Sequence, residues 1–165
     1  VPVTIAREPV AAAPQLRQEG VELKGKRVLL CEDNLLNREI VVTLLENKAV
    51  AVDCAENGAA GLQKFDKSRT GWYDAVLMDI RMPVMDGCEA AQAMRALDRR
   101  DSGSIPIVAL SADAFEESVQ LAKAAGMNGY LAKPVIPEQL YRELSKMFEA
   151  RAASRGRNER ACDGE

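Results

Sequence analysis

Between residues 25 and 149, five short runs of mostly aliphatic residues alternate strictly with amphipathic stretches, and this alternation constrains the fold more than any other feature. Arg27–Cys31 (RVLLC) is a continuous apolar run, as expected of a strand buried on both faces. A helix is predicted over Asn34–Asn47, with Asn34 as N-cap and Leu36, Ile40 and Leu44 recurring at i, i+4 and i+8. A second strand is predicted at Val50–Cys54, a second helix at Asn57–Lys67 carrying Leu62 and Phe65, and a third strand at Ala75–Met78, ending at Asp79. The pattern continues with a helix over Glu89–Leu97 (Ala90, Ala93, Met94 and Leu97 on one side) and a strand at Ile105–Leu110. Next come a helix over Asp113–Ala125 (Phe115, Val119, Ala122) and a strand at Gly129–Ala132. The last helix is predicted over Pro137–Glu149, with Leu140, Leu144 and Phe148 toward the core. Five strand–helix units in this order predict an α/β domain, a parallel sheet with helices on both faces and right-handed crossovers.

The flanks differ from this. Residues 1–24, rich in Ala, Pro, Gln and Glu, read as a linker or the end of a preceding domain, and residues 150–165 as a disordered, charged tail. No internal repeat is visible. Apolar residues make up 47% of the chain, enough for one ordinary core. With 22 basic against 25 acidic residues, a net charge of −3, the chain lacks the electrostatic footprint of a nucleic-acid binder. No apolar run reaches the ~20 residues that span a bilayer, and Val1–Gly20 lacks the order of a secretory signal, so no direct membrane contact is expected.

The four cysteines (Cys31, Cys54, Cys88, Cys162) form no C-x-x-C pair and no zinc spacing. Three of them sit within apolar-periodic segments and read as small hydrophobes, which implies a reducing, cytoplasmic setting, although a parent protein could itself be membrane-anchored. The count of histidines is zero, which excludes histidine-based general acid–base catalysis and Ser-His or Cys-His pairs within this sequence. A phosphohistidine donor would have to lie outside it.

In open α/β sheets ligands sit beyond the carboxyl ends of the strands. There the sequence places Glu32 and Asp33 after strand one, Asp79 at the end of strand three, Ser111 after strand four and Lys133 after strand five. Each alone has an ordinary reading: Asp33 precedes a helix cap, Ser111 could cap the next helix, and a lone lysine is most often a solvated charge. Together they are three acids, one hydroxyl and one ammonium converging on one pocket. Three carboxylates repel unless one is protonated or a cation sits among them, and an oxygen-only set partly open to water suits Mg2+. With Lys133 and Ser111 beside it, the set forms a receptacle for a phosphoryl group. Asp79 is the best placed nucleophile because it ends the central strand.

At these residues the chain resembles the receiver domains of two-component response regulators. The run from Asp79 to Gly87 (DIRMPVMDG) is similar to that family's phosphorylation-site signature, and Leu30–Asn34 (LCEDN) to its acid pair. Val108–Ala112 (VALSA) is similar to its switch-hydroxyl strand and Tyr130–Pro134 (YLAKP) to its aromatic–lysine–proline end. The resemblance implies a flavodoxin-like (βα)5 sheet of strand order 2-1-3-4-5. It implies that Asp79 takes a phosphoryl group from a phosphohistidine, and that Asp33, Glu32, Asp79 and the backbone carbonyl of Arg81 hold Mg2+. It further implies that Lys133 and Ser111 contact phosphoryl oxygens and that Tyr130 turns inward as Ser111 moves. That change reaches the face of the fourth helix, fifth strand and fifth helix, through which a homodimer could form, and a cis Lys133–Pro134 peptide would aim the lysine. Expected partners are a histidine kinase core or a histidine phosphotransfer domain.

Two short runs, Asn34–Arg38 (NLLNR) and Ala125–Asn128 (AGMN), resemble receivers fused to hybrid sensor histidine kinases, which would make residues 1–24 the linker from a kinase core. A stand-alone receiver is the alternative. The domain itself would catalyse only its own phosphorylation and dephosphorylation. Arg81 and Asp113, each two residues past a site residue, are expected to tune the lifetime of the phosphate by forming an ion pair at the rim; a screened surface pair of little effect is the rival reading. Neither G-x-x-x-x-G-K-[ST] nor G-x-G-x-x-G is present, and Arg81 stands where an aspartate-nucleophile phosphatase needs its second Asp. A pure interaction module that keeps the fold without phosphorylation is the remaining rival.

Overall fold

The computed structural model describes residues 23–112 and 115–163, with side chains as far as residue 152. The expected linker, apart from its last two residues, and Asp113 lie outside the described residues. Five parallel strands, β1 (Arg27–Cys31), β2 (Ala51–Ala55), β3 (Ala75–Asp79), β4 (Ile107–Ser111) and β5 (Gly129–Ala132), form one sheet in the order β2-β1-β3-β4-β5. Between and after them run α1 (Leu35–Glu46), α2 (Gly58–Lys67), α3 (Gly87–Ala96), α4 (Glu116–Ala124) and α5 (Pro137–Asp163). The flavodoxin-like expectation holds in both element order and strand order.

The three inner strands are apolar on both faces because each face meets helices. Leu29, Cys31, Val76, Met78, Ile107 and Ala109 pack with Phe65 of α2, Ala90 and Met94 of α3 and Ala122 of α4. Val28, Leu30, Leu77, Val108 and Leu110 point the other way, onto Val41 and Leu45 of α1 and Leu140, Leu144 and Phe148 of α5. Burying one such aliphatic side chain stabilises the fold by roughly 1.5–3 kcal/mol, so the strands are held from both sides. Three helices begin at side-chain caps: Asn34 accepts from the Asn37 amide (3.0 Å), Asn57 from Ala60 (2.7 Å) and Asp86 from Glu89 (2.9 Å).

Several expectations are corrected. The core side of α1 is Val41 and Leu45; Leu36 and Ile40 are 65% and 46% exposed. Phe115, expected in the core, is 70% exposed and precedes α4, which starts at Glu116 rather than Asp113. Strand β4 starts after Pro106, whose ring nitrogen has no hydrogen to give to the ladder. The last helix continues past the expected end at Glu149 as far as Asp163, through residues read as a disordered tail. Its Ala, Arg and Glu residues are good helix formers, a preference that the tail's polarity concealed.

One tie joins a helix to two connections. Arg95 of α3 donates from Nε and Nη2 to the Gly126 carbonyl (3.0 and 2.8 Å), from Nη1 to the Ser102 carbonyl (3.0 Å) and from Nη2 to Asn128 Oδ1 (2.6 Å). Gly126, at φ +95°, has to be glycine-like there, since a Cβ would stand 3.0 Å from Arg95 Cγ. Among the described residues no helix is long and apolar enough to cross a membrane.

Candidate functional site

The parallel ladder fixes where the chemistry-bearing residues stand. Cys31 pairs with Met78, Asp79 with Leu110 and Ser111 with Ala132, so the carboxyl ends of β1, β3, β4 and β5 lie side by side. The backbone bond from Lys133 N to Ser111 O (2.7 Å) carries the ladder one residue past β5. Glu32, Asp33, Asp79, Arg81, Ser111 and Lys133, all expected at the site, line one cleft together with Asn34, Asn37 and Ala112.

Lys133 is the hub of this cleft. Its Nζ lies 2.8 Å from Asp79 Oδ2 and 2.9 Å from Glu32 Oε2. Burial acts to lower the affinity of this amine for its proton, but the hydrogen bonds to Asp79 and Glu32, with their charge, outweigh it and the pKa is raised. The ammonium therefore stays charged across the neutral range. Asp79 is 4% exposed and Oδ1 accepts from the Arg81 amide (3.2 Å). Glu32 is 1% exposed, and its Oε1 accepts from the Asn34 amide (3.1 Å) while its carbonyl accepts from Arg38 Nη1 (3.0 Å). Ser111 is buried, whereas Asp33 faces solvent.

Carboxylate oxygens of Glu32, Asp33 and Asp79 come within 4.8 Å of one another. One ammonium against three carboxylates leaves a formal surplus of two negative charges, and every donor is a hard oxygen. A small divalent cation such as Mg2+ fits that set in charge and ligand type.

Gly87 shapes the floor. A Cβ there would sit 2.2 Å from the Asp79 carbonyl oxygen, so glycine lets the first turn of α3 lie directly against the end of β3. The Gly87 amide donates to the Ile80 carbonyl (2.9 Å), which locks that approach. The connection between them carries Val84 at φ 72°, an uncommon backbone for a β-branched residue.

Tyr130, on β5, stands apart from the cleft. It is half-buried, packs against the α2–α3–α4 core and borders a small pocket with Val119, Ala122 and Met127. The Lys133–Pro134 peptide is cis. Asn37 and Ala112 are site residues that the sequence reading did not assign. Asn37 was legible in principle, because the Asn34 cap places residue 37 one turn into α1, over the strand ends.

The chain matches the family model of the response regulator receiver domain over residues 28–145. It is 32% identical over 151 residues to "Hybrid signal transduction histidine kinase I" of Dictyostelium discoideum, covering 85% of this chain but 9% of that protein. The chain thus spans about a tenth of the length of this curated relative. In structure it is similar to the receiver domain of the sensor histidine kinase PA1611 of Pseudomonas aeruginosa, described with a magnesium ion coordinated in the active site cleft. That likeness has TM-score 0.69 and 34% identity, over 76% of this chain and 98% of the other. It is also similar, at TM-score 0.69 and 28% identity over 77% of this chain and 90% of the other, to a chain of the Saccharomyces cerevisiae complex between the histidine phosphotransfer protein Ypd1 and the receiver domain of Ssk1. Matched in sequence, fold and strand-end chemistry, the chain belongs to the response regulator receiver domain family.

Proposed function

We propose that Asp79 is the phosphoacceptor of a phosphorelay, taking its phosphoryl group from a phosphohistidine on a partner domain. The observation that carries this is the Lys133 ammonium held between Asp79 and Glu32, with Asp33 alongside. Asp79 offers Oδ2 beside a fixed positive charge, and a transferring phosphoryl group would exchange the carboxylate's ion pair for its own. Lys133 is already held in the cleft by Glu32 and Asp79, and such preorganised charge is where most of the catalytic effect in phosphoryl transfer arises. Bound Mg2+ would neutralise charge on the phosphoryl oxygens, and Glu32, Asp33, Asp79 and the carbonyl of Arg81 are the groups to hold it. Ser111, buried in the same cleft, would donate to another phosphoryl oxygen.

The product adds close to two negative charges at the strand ends. Ser111 and Tyr130 are the residues through which that charge would bias the α4–β5–α5 face, which is also the face proposed for a homodimer. Residues Leu36 and Ile40, apolar and exposed on α1 near the cleft, give a histidine-bearing partner a surface on which to dock. In this reading the domain is part of a longer sensor kinase, joined through residues 1–24, and the similarity to hybrid kinases supports it. Arg81, with Asp113, is proposed to shield the phosphate from water, so that Arg81→Ala would change the dephosphorylation rate.

The test is direct. The protein is incubated with acetyl phosphate and Mg2+, and its intact mass is compared with that of Asp79→Asn. Gain of one phosphoryl mass by the wild type alone is expected. Labelling of neither would leave the domain an interaction module, and equal labelling of both would put the phosphoryl group on a residue other than Asp79.

A further inference from the structure

Beside the phosphoacceptor cleft lies a second, more enclosed pocket lined by Glu32, Asn37, Ile40, Val41, Lys133, Pro134 and Val135. Three residues are common to both cavities: Glu32, Asn37 and Lys133. Two of them are committed. Lys133 bridges Glu32 and Asp79, and Glu32 is held by Lys133 and the Asn34 amide. Apart from the backbone ladder of α1, Asn37 is held through its backbone amide, which donates to the Asn34 side chain. Its side-chain amide makes no hydrogen bond to any described residue. At the boundary between an ionic cleft and an apolar pocket, one uncommitted amide is left half-buried.

The chemistry of the donor matches that boundary. Phosphohistidine differs from other phosphoryl donors in its leaving group, a flat ring with apolar edges and a second ring nitrogen. Such a ring calls for an apolar wall and one hydrogen-bond acceptor, next to the site where the phosphorus is attacked. Ile40, Pro134 and Val135 supply the wall and Asn37 Oδ1 the acceptor.

We infer that Asn37 is a donor-recognition residue, seating the imidazole of the incoming phosphohistidine while Asp79 takes its phosphoryl group; this rests on the phosphoacceptor reading of Asp79. In the step, an oxygen of Asp79 forms the new P–O bond as the P–N bond breaks. The electron pair of that bond returns to the ring nitrogen. The proton on the other ring nitrogen stays where it is, so the ring departs as neutral imidazole. Asn37 Oδ1 accepts from that N–H, which favours the protonated donor ring and holds its plane. Acetate, the leaving group of acetyl phosphate, carries no N–H and gains nothing from this acceptor.

The experiment compares phosphoimidazole with acetyl phosphate as donor, in Mg2+, by the initial rate of phosphoryl mass gain. Variants Asn37→Ala and Asn37→Leu are measured beside the wild type and Asp79→Asn. Leucine keeps the side chain's size and removes its polar atoms, and thermal melts confirm that both variants fold. Loss of one hydrogen bond to the transition state corresponds to roughly tenfold in rate, so the ratio of phosphoimidazole to acetyl phosphate rates falls about tenfold in both variants. A ratio equal to the wild type's, whether both rates fall together or neither falls, overturns the assignment of Asn37 and leaves Asp79 untouched. Failure of both donors to label wild-type protein overturns the phosphoacceptor reading, and Asn37's role with it.

Discussion

Gly61, in the first turns of α2, sets two physical rules against each other. By helix propensity alone, Gly61→Ala should stabilise the protein by up to about 1 kcal/mol. By packing it should do the opposite. The added Cβ would stand 2.3 Å from Cys31 Sγ, where a comfortable contact needs about 3.5–4.0 Å. The thiol must therefore retreat by more than about 1 Å, and Cys31 is 0% exposed at the carboxyl end of β1, with Ala55 and Met78 in the same core. Overpacking of this kind costs roughly 1–3 kcal/mol, so about 1 kcal/mol at mid-range and at most about 2 kcal/mol is lost once the propensity gain is subtracted. For a chain of this size that is a fall in Tm of roughly 2–8 °C. Thermal unfolding by circular dichroism of wild type, Gly61→Ala, Cys31→Ala and the double variant measures it. Cys31→Ala removes the clashing sulfur, so the double variant should be more stable than the sum of the single losses by about 1 kcal/mol or more. A Gly61→Ala protein that melts at or above wild type, or strictly additive losses, refutes the packing argument.

Three further outcomes are expected. Burial acts to raise the Asp101 carboxyl, but its paired bonds from Arg99 (2.6 and 3.0 Å) and the Gly71 amide (2.9 Å) outweigh that and hold it below the usual range. Its contribution is therefore present above the unfolded-state value near 3.8 and lost as pH falls through the lower folded value. Asp101→Asn should cost about 1–3 kcal/mol at pH 7 and progressively less below pH 4 in urea melts; a loss that does not depend on pH contradicts the pairing. Burial pushes the Cys31 thiol up to about 12, so iodoacetamide at pH 8 should leave Cys31 unmodified in peptide maps after the half-buried Cys54 and Cys88 have begun to react. Val84→Gly should raise stability by about 1 kcal/mol, because glycine holds φ 72° without the clash a β-branched residue suffers and Val84 is 82% exposed; an unchanged Tm counts against strain at this position.

Most of the architecture was legible because two signals coincided. The runs RVLLC and AVLM could be strands only if buried on both faces, and the stretches between them could satisfy that only as helices. The strand-end acids followed from the ladder, since residues that terminate parallel strands share one edge whatever the loops do. The errors have a common physical origin. Leu36 and Ile40 recur at helical spacing as regularly as Val41 and Leu45, and spacing alone does not tell which stripe meets the sheet. Phe115 was given to the core by its hydrophobicity, yet it stands before the helix rather than on it. The helical course of residues beyond Glu149 rested on propensity, which composition weighed too lightly. Asn37 carries no charge to mark it; the Asn34 cap already sets it over the strand ends, but the apolar pocket on its other side comes from residues far away in the chain.

The guanidinium of Arg95 grips the turn that follows α4, at Gly126 and Asn128, while the opposite end of α4 begins at Phe115 without a side-chain cap. A rod fastened at one end moves least beside its fastening. Any tilt of α4 about Gly126 is magnified along its length: nine residues span about 13 Å, so a tilt of about 10° carries the Phe115 end through roughly 2 Å and leaves Ala124 almost in place. Phe115, the largest apolar side chain on that sweeping end, is thus the point of the helix at which a small angular change becomes the largest displacement of surface.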